Sequence, residues 1–415
     1  MTMTGHDTTG CQRADEVLHR LLATPEGQAD PYPLYHALRQ LAPLHRSALD
    51  GVWYASSFAA CREILGHPHC GKGARITVRR HGVAEDRLRM VERRRRRPSM
   101  ITANPPEHAR LRGVAKGAFI PPRLEDLRRR VACLVDHRLE RLAALGEADL
   151  MAELAYPLPV TVIGELLGIP EEDRDRLRPL VIALATSDEP DSPPDAIRRA
   201  EAASDELEAY LTDLTASRRS RPTSDLLTIL VAQRDAGVLD GQELYSTVLL
   251  LFVAGFLTTA SLVGNGLLAL FRHPQEMTRL WRDPDLVAPA VEEMLRYDSP
   301  VQLIHRQVME DIEVGGLRLR QGETILTLLG AANRDPARFP EPDRFDLGRQ
   351  GKDHLAFAWG LHFCLGARLA RMEAQLILAG LRERFSSLDL AEKPPRRPGL
   401  AFRSVDSLLI RLTPR

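Results

Sequence analysis

Residues 357–371 read Phe-Ala-Trp-Gly-Leu-His-Phe-Cys-Leu-Gly-Ala-Arg-Leu-Ala-Arg, and an amphipathic stretch with no early breaker follows from Ala367 to Leu381. Cys364 is thus expected just before a helix N-terminus, where free backbone N–H groups and the positive end of the dipole favour thiolate over thiol. Gly360 and Gly366 bracket the sulfur, so backbone can approach a flat, bulky partner with no Cβ in the way. Phe357, Trp359 and Phe363 supply aromatic cover against water. A cysteine picked at random is most often a small buried hydrophobe, and Cys11, Cys61, Cys70 and Cys133 take that reading. A nucleophile needs a paired base, and the one basic neighbour of Cys364 is His362, two residues away. A metal-bound thiolate fits this loop better.

Two further groups have the types and spacing for chemistry. Glu293 and Arg296 stand three apart in a helical pattern, so their side chains share a face and can pair. Exposed, such a pair contributes about 0–1 kcal/mol. The run Arg93–Arg97, with Arg87 and Arg89 nearby, reads first as a solvated charge cluster and second as a recognition surface for an anionic substrate or an acidic carrier protein.

The elements that must position these residues are mostly helical. Apolar residues recur with helical period over Pro31–Leu41, Glu107–Gly117, Arg123–Leu145, Tyr156–Leu167, Asp195–Arg218, Leu226–Gln233, Gly241–Phe271 and Leu286–Tyr297. Strand signals are few: Leu44–Tyr54 around Asp50-Gly51, Ile312–Leu329 broken at Gly315-Gly316 and Gln321-Gly322, and Ala401–Leu412. The expected fold class is mainly α with minor β. Residues 1–25 read as a disordered N-terminal segment and 26–415 as a single domain. Thr186–Pro194, rich in Asp and Pro, reads as a mobile connection between two helices.

The 415 residues carry 56 Lys+Arg against 56 Asp+Glu, so no general attraction to nucleic acid or to an anionic membrane follows from the total. Five cysteines without a CxxC pair argue against a disulfide framework or a zinc ribbon. The start of the chain has no basic segment followed by an apolar stretch, which makes the cytoplasm the expected compartment. Val248–Phe271 holds no charge and is long enough to span a bilayer. Its glycines, threonines, serine and asparagine favour a buried helix through a helical protein.

Taken with the cysteine loop, four other stretches resemble motifs of the cytochrome P450 family in the family's order, closest to its soluble bacterial members. They are Asn-Pro-Pro-Glu-His-Ala-Arg-Leu-Arg at 104–112, Ala-Gly-Phe-Leu-Thr-Thr at 254–259, Glu-Glu-Met-Leu-Arg-Tyr at 292–297 and Ala-Asn-Arg-Asp-Pro at 332–336. The resemblance runs from about Asp30 to the end. It implies a helical fold around a buried haem b, iron protoporphyrin IX held non-covalently, with Cys364 as the axial thiolate that favours O–O cleavage. It places the haem propionates on His108, Arg112, Arg306 and His362, with Phe357 and Gly366 also against the cofactor. It makes Glu293, Arg296 and Arg344 a buried structural network.

The resemblance further implies a monooxygenase that inserts one oxygen atom into a small organic substrate, often in polyketide or macrolide tailoring. Electrons would come from NAD(P)H through a ferredoxin and a ferredoxin reductase, because the chain has no motif of a fused flavin domain. A monomer is expected, with no nucleic-acid or membrane partner, and a carrier-bound substrate stays open. Ala254, Gly255 and Thr258 would form the oxygen-binding and proton-delivering stretch, and substrate contacts are expected at Phe256, Leu257, Leu303 and Ile304. The family pattern breaks where an acid usually precedes the threonine, since Leu257 carries no proton. Positioned proton transfer is worth roughly 10²–10⁴-fold. Three routes stay open: Thr258 with water, assisted by Thr259 or a substrate hydroxyl; a peroxide-using reaction; or a relay elsewhere. A non-catalytic haem sensor is the reading outside enzymes. Ala358 is a second departure, at a spot usually glycine.

Overall fold

The computed structural model describes residues 5–73, 98–187, 193–351, 353–397 and 399–415. The arginine run and the tip of the Thr186–Pro194 connection lie outside them. The helices of two turns or more are α1 Gly5–Ala23, α2 Tyr32–Leu41, α3 Phe58–Gly66, α4 Glu107–Lys116, α5 Pro121–Leu145, α6 Pro157–Leu167 and α7 Glu171–Thr186. They continue with α8 Pro194–Ser220, α9 Leu226–Asp235, α10 Gly241–Arg272, α11 Pro274–Arg282, α12 Val287–Tyr297 and α13 Ala367–Arg384. The strands are β1 Leu44–Arg46, β2 Trp53–Ala55, β3 Cys70–Gly71, β4 Glu147–Asp149, β5 Leu303–Val308, β6 Ile312–Val314, β7 Leu317–Leu319, β8 Thr324–Leu328, β9 Phe385–Leu390 and β10 Leu409–Pro414. Mainly α with minor β is therefore the observed class. α5 and α8 begin earlier than their apolar period indicates because Pro121 and Pro194 fill the first helical turn, where a missing N–H costs nothing.

The described residues group into two compact units with interleaved chain segments. The first takes the chain up to residue 73 with 264–364 and 393–406; the second takes 98–263, 365–392 and 407–415.

In the first unit a five-stranded sheet runs β1-β2-β8-β5-β3. The Asp50-Gly51 turn forms as expected, with Gly51 at φ +72° and Asp50 accepting hydrogen bonds from Val52 N–H and the Tyr54 hydroxyl. β2 pairs in parallel with β8 (Tyr54↔Leu326), and β5 pairs antiparallel with β8 (His305↔Leu326). Gly315 and Gly316, both at positive φ, turn β6 into β7.

The N-terminal segment is not disordered over residues 5–23. Ala14, Leu18 and Leu21 lie one helical face apart, are fully buried, and share a cluster with Leu34, Tyr35 and Leu38 of α2. The strand expected over Ala401–Leu412 is confined to β10; before it Phe402 and Val405 make only isolated bridges. Asp298, at the end of α12, accepts from the Tyr32 hydroxyl at 2.6 Å, from Arg396 at 2.7 Å and from Arg403 at 2.5 Å. Burial alone would raise its carboxyl pKa, but Arg403 and Arg396 outweigh that and hold it far below the usual range.

In the second unit β4, β10 and β9 form a small sheet in the order β4-β10-β9. α10 opens with a reciprocal cap: Asp240 Oδ1 accepts from Glu243 N–H, and Glu243 Oε2 accepts from Asp240 N–H. Leu244, Tyr245, Val248, Leu251 and Phe252 then pack with Leu207 and Leu211 of α8 and Leu226, Leu227 and Leu230 of α9. α10 is long and apolar enough to cross a membrane, yet 67% of its most apolar window is buried within the protein.

Candidate functional site

Each unit holds its own share of the candidate residues. In the first, the pair on α12 is buried as expected, with side-chain exposures of 1% for Arg296 and 2% for Glu293. Arg296 Nε and Nη2 donate to the two Glu293 oxygens at 2.8 Å each. The remaining guanidinium hydrogens reach the carbonyls of Asn333, Pro342 and Arg344.

The third member is not the Arg344 side chain, which is 59% exposed and pairs with Glu341. It is Arg349, whose Nε donates to Glu293 Oε1 at 3.2 Å while its other nitrogens take the carbonyls of Pro340, Glu341 and Arg344. Arg344 supplies only a backbone oxygen. The segment is irregular coil, with no period in the sequence to tell which arginine turns inward.

This network leads to the cysteine loop. Asn333, whose carbonyl Arg296 holds, accepts Leu355 N–H on its Oδ1 at 2.7 Å. Ala358 N–H donates to Leu355 O, and Cys364 N–H donates to Phe357 O at 3.0 Å. Ala358 stands at φ +61°, a left-handed conformation that disfavours any side chain, which explains glycine as the usual residue at that spot. Gly360 is required: at φ +70° an added Cβ would meet Leu65 O at 2.6 Å. Cys364 is exposed. Phe357 and His362 are half-buried, with the Phe357 ring between those of His354 and Phe363.

Arg306 lies on β5 and is 1% exposed. Nη1 donates to His305 O, while Nε and Nη2 are buried with no hydrogen-bond partner among the described residues. Burial lowers its pKa to about 10, against a smaller opposing effect of Cys70. Two basic residues missed from the sequence, Lys72 and His305, crowd it. Lys72 Nζ reaches His305 O at 3.5 Å, and its pKa is well depressed by burial and then by Arg306. His305 is depressed by burial, then by Lys72 and Arg306. Their one sequence signal was basic residues on short, otherwise apolar strands. Side chains alternate along a strand, so Ile304 shares the face of Arg306 while Leu303 turns to the other; both are partly buried.

In the second unit, His108 and Arg112 lie four apart on α4 and so share a face. His108 is 1% exposed, and burial followed by Arg112 pushes its pKa down. Ala254 and Thr258 also lie four apart, on α10, and Thr258 Oγ1 donates to Ala254 O at 2.8 Å.

Gly255 makes room for α6, since a Cβ there would stand 3.1 Å from Ile163 Cγ1. Phe256 and Leu257, 0% and 3% exposed, belong to the hydrophobic core, with the Phe256 ring 5.8 Å from that of Tyr156. Phe256, expected as a substrate contact, points to the side of the helix opposite the Ala254–Thr258 face, whereas Leu257 lies about 60° from Ala254 around the helix. Gly366, just before α13, has no protein atom within 4 Å of where a Cβ would sit.

These residues fit a haem. A propionate would complete the two Arg306 nitrogens that are buried with no hydrogen-bond partner among the described residues. The exposed Cys364 thiol would supply the one protein ligand that a porphyrin-bound iron needs.

The sequence model of the family described as Cytochrome P450 matches residues 192–405. The chain is 39% identical over 374 residues to the cytochrome P450 monooxygenase PikC of Streptomyces venezuelae, covering 88% of this chain and 86% of that protein. It is 35% identical over 393 residues to the biotin biosynthesis cytochrome P450 of Bacillus subtilis (strain 168), covering 93% and 97%. Among solved structures, P450BioI in complex with an acyl carrier protein ligated to hexadec-9Z-enoic acid superposes with a TM-score of 0.86 at 33% identity, covering 93% of this chain and 100% of that one. Matched by the family's sequence model over residues 192–405 and by relatives at 35% and 39% identity over most of both chains, this chain belongs to the cytochrome P450 family.

Proposed function

We propose that the chain inserts one oxygen atom, by hydroxylation or epoxidation, into a small polyketide- or macrolide-type substrate, free or tethered to a carrier protein. Electrons come from NAD(P)H through a ferredoxin and its reductase. The relatives named polyketide biosynthesis cytochrome P450 PksS and 6-deoxyerythronolide B hydroxylase support the substrate class, and the acyl-carrier complex of P450BioI supports a tethered form. The observation that carries the reading is the exposed Cys364 thiol on a loop whose backbone is pinned at both ends.

Haem, held by the Cys364 thiolate, would supply the redox chemistry, which thiolate ligation biases towards O–O cleavage. Cys364 is the ligand. Arg306 and His362 of the first unit, and His108 and Arg112 of the second, are the propionate partners, with Lys72 and His305 reinforcing Arg306. Ile304 is a better candidate for substrate contact than Leu303, since it shares the Arg306 face. The Thr258 hydroxyl directs its hydrogen at Ala254 O, so its lone pairs are left to accept from water. Water ordered on Thr258 carries protons in place of the usual acid. Thr259 gives no help from its own hydroxyl, which is buried and bonded to Gly255 O.

Haem-loaded protein should show a thiolate-type Soret band in its reduced carbon monoxide complex, and Cys364→Ala should lose it. Incubated with a macrolactone panel, NADPH, oxygen, a ferredoxin and its reductase, the protein should form a product one oxygen atom heavier. Product formed only when hydrogen peroxide replaces the reductase system would overturn the monooxygenase cycle. An unaltered Soret band in Cys364→Ala would overturn the ligand.

A further inference from the structure

The cysteine loop has a support beyond the Glu293–Arg296–Arg349 network. His354 is buried, its side chain 2% exposed. Its Nδ1 accepts the N–H of Ala356, two residues on, at 3.2 Å. Nδ1 must therefore be the bare nitrogen, and Nε2 carries the hydrogen and faces Glu292 Oε2 at 3.2 Å. Glu292 thus fixes the tautomer that the Ala356 contact requires. Glu292 and Glu293 are neighbours on α12 and point about 100° apart, so one helix ties down the arginine network with one carboxylate and the cysteine loop with the other.

Ala356 is itself buried, and its N–H lies between two other ties. Leu355 N–H is held by Asn333, and Phe357 O receives Cys364 N–H. The loop between carries Ala358 in a left-handed conformation, which persists only where the surroundings over-determine it. Without the imidazole acceptor, a buried N–H loses its partner in the middle of this strained stretch, and the backbone regains the freedom to shift Phe357 O and, through it, Cys364. We propose that His354, oriented by Glu292, is a positioning residue that holds the Cys364 sulfur in register for the haem iron. The inference rests on the reading of Cys364 as the axial ligand.

The test follows the thiolate-type Soret band of the reduced carbon monoxide complex and the haem reduction potential, at a temperature where circular dichroism shows every variant folded. His354→Phe keeps a ring but offers neither contact. Its loss of the thiolate band should be faster than in the wild type by about 5-fold, the worth of one net hydrogen bond, and its potential should shift. His354→Asn should restore the wild-type rate, because a short amide oxygen accepts from the N–H two residues on. Glu292→Gln keeps an acceptor for Nε2–H and should behave as wild type, whereas Glu292→Leu should follow His354→Phe.

Should His354→Phe fail to fold, Glu292→Leu carries the same expectation. A wild-type rate and potential in folded His354→Phe or Glu292→Leu would overturn the proposal, as would a folded His354→Asn that drifts like the phenylalanine variant. A wild-type protein that itself lacks the thiolate band marks failure of the ligand reading. A wild-type band that Cys364→Ala abolishes and His354→Phe leaves untouched marks failure of this inference alone.

Discussion

Arg306 sits in the fold as a buried cation with two nitrogens that no described residue satisfies. Folding without the cofactor therefore carries a penalty that cofactor binding removes. Replacing a poorly compensated buried charge with an apolar side chain is typically neutral or stabilising by about 1–4 kcal/mol. Arg306→Leu is accordingly expected to leave the haem-free protein as stable as wild type or more so, read from its urea midpoint. The same variant should lose haem to a scavenger protein at least about 10-fold faster, since a charge-assisted hydrogen bond is worth about 1.5–3 kcal/mol. A haem-free variant that unfolds at lower urea would show that Arg306 serves the protein before it serves the ligand. Lys72 escaped notice in the sequence because the β3–β5 pairing that crowds it with Arg306 joins segments more than two hundred residues apart.

At the scale of elements, the arginines of the coil after α12 provide the sharpest contrast. Arg349→Ala strips one partner from the buried Glu293 carboxylate and is expected to cost about 3–5 kcal/mol, whereas Arg344→Ala, an exposed ion pair, should cost under about 1 kcal/mol. Chemical denaturation of the two variants side by side checks the ranking. The sequence led to Arg344 because it sits in a dense Pro-Glu-Pro-Asp-Arg-Phe stretch, but coil has no period from which to read an inward face. Helices were legible wherever proline or a charged cap marked the start of an apolar 3.6-residue pattern, as in α5, α8 and α10. β5 was not, because Leu-Ile-His-Arg-Gln-Val places basic groups on both of its faces. Ala254 and Thr258 were legible as a helical pair. Phe256 was read as a substrate contact because a motif read as a string does not say which third of the helix surface each residue occupies.

For the whole molecule, a carboxyl group enclosed without a cation sets part of the pH response. Glu373 on α13 is 2% exposed, its Oε2 has no hydrogen-bond partner among the described residues, and burial pushes its pKa up to about 8. The folded state then keeps a proton that the unfolded chain has released, so this group's contribution to stability falls as pH rises from about 4.3 towards 8 and is constant above that. Glu373→Gln removes the term. Its stability relative to wild type is expected to grow by up to about 1.4 kcal/mol per pH unit across that window, measured by denaturant titration at pH 5, 6, 7 and 8. A constant difference would place the group in water.

Asp298 brings together Tyr32 from near the start of the chain, its own helix from the middle, and Arg396 and Arg403 from near the end. A ribosome must release everything from Tyr32 to Arg403 before the carboxylate meets its last two arginines. Until then the first unit stays open, and its apolar surfaces need protection throughout the synthesis of that stretch.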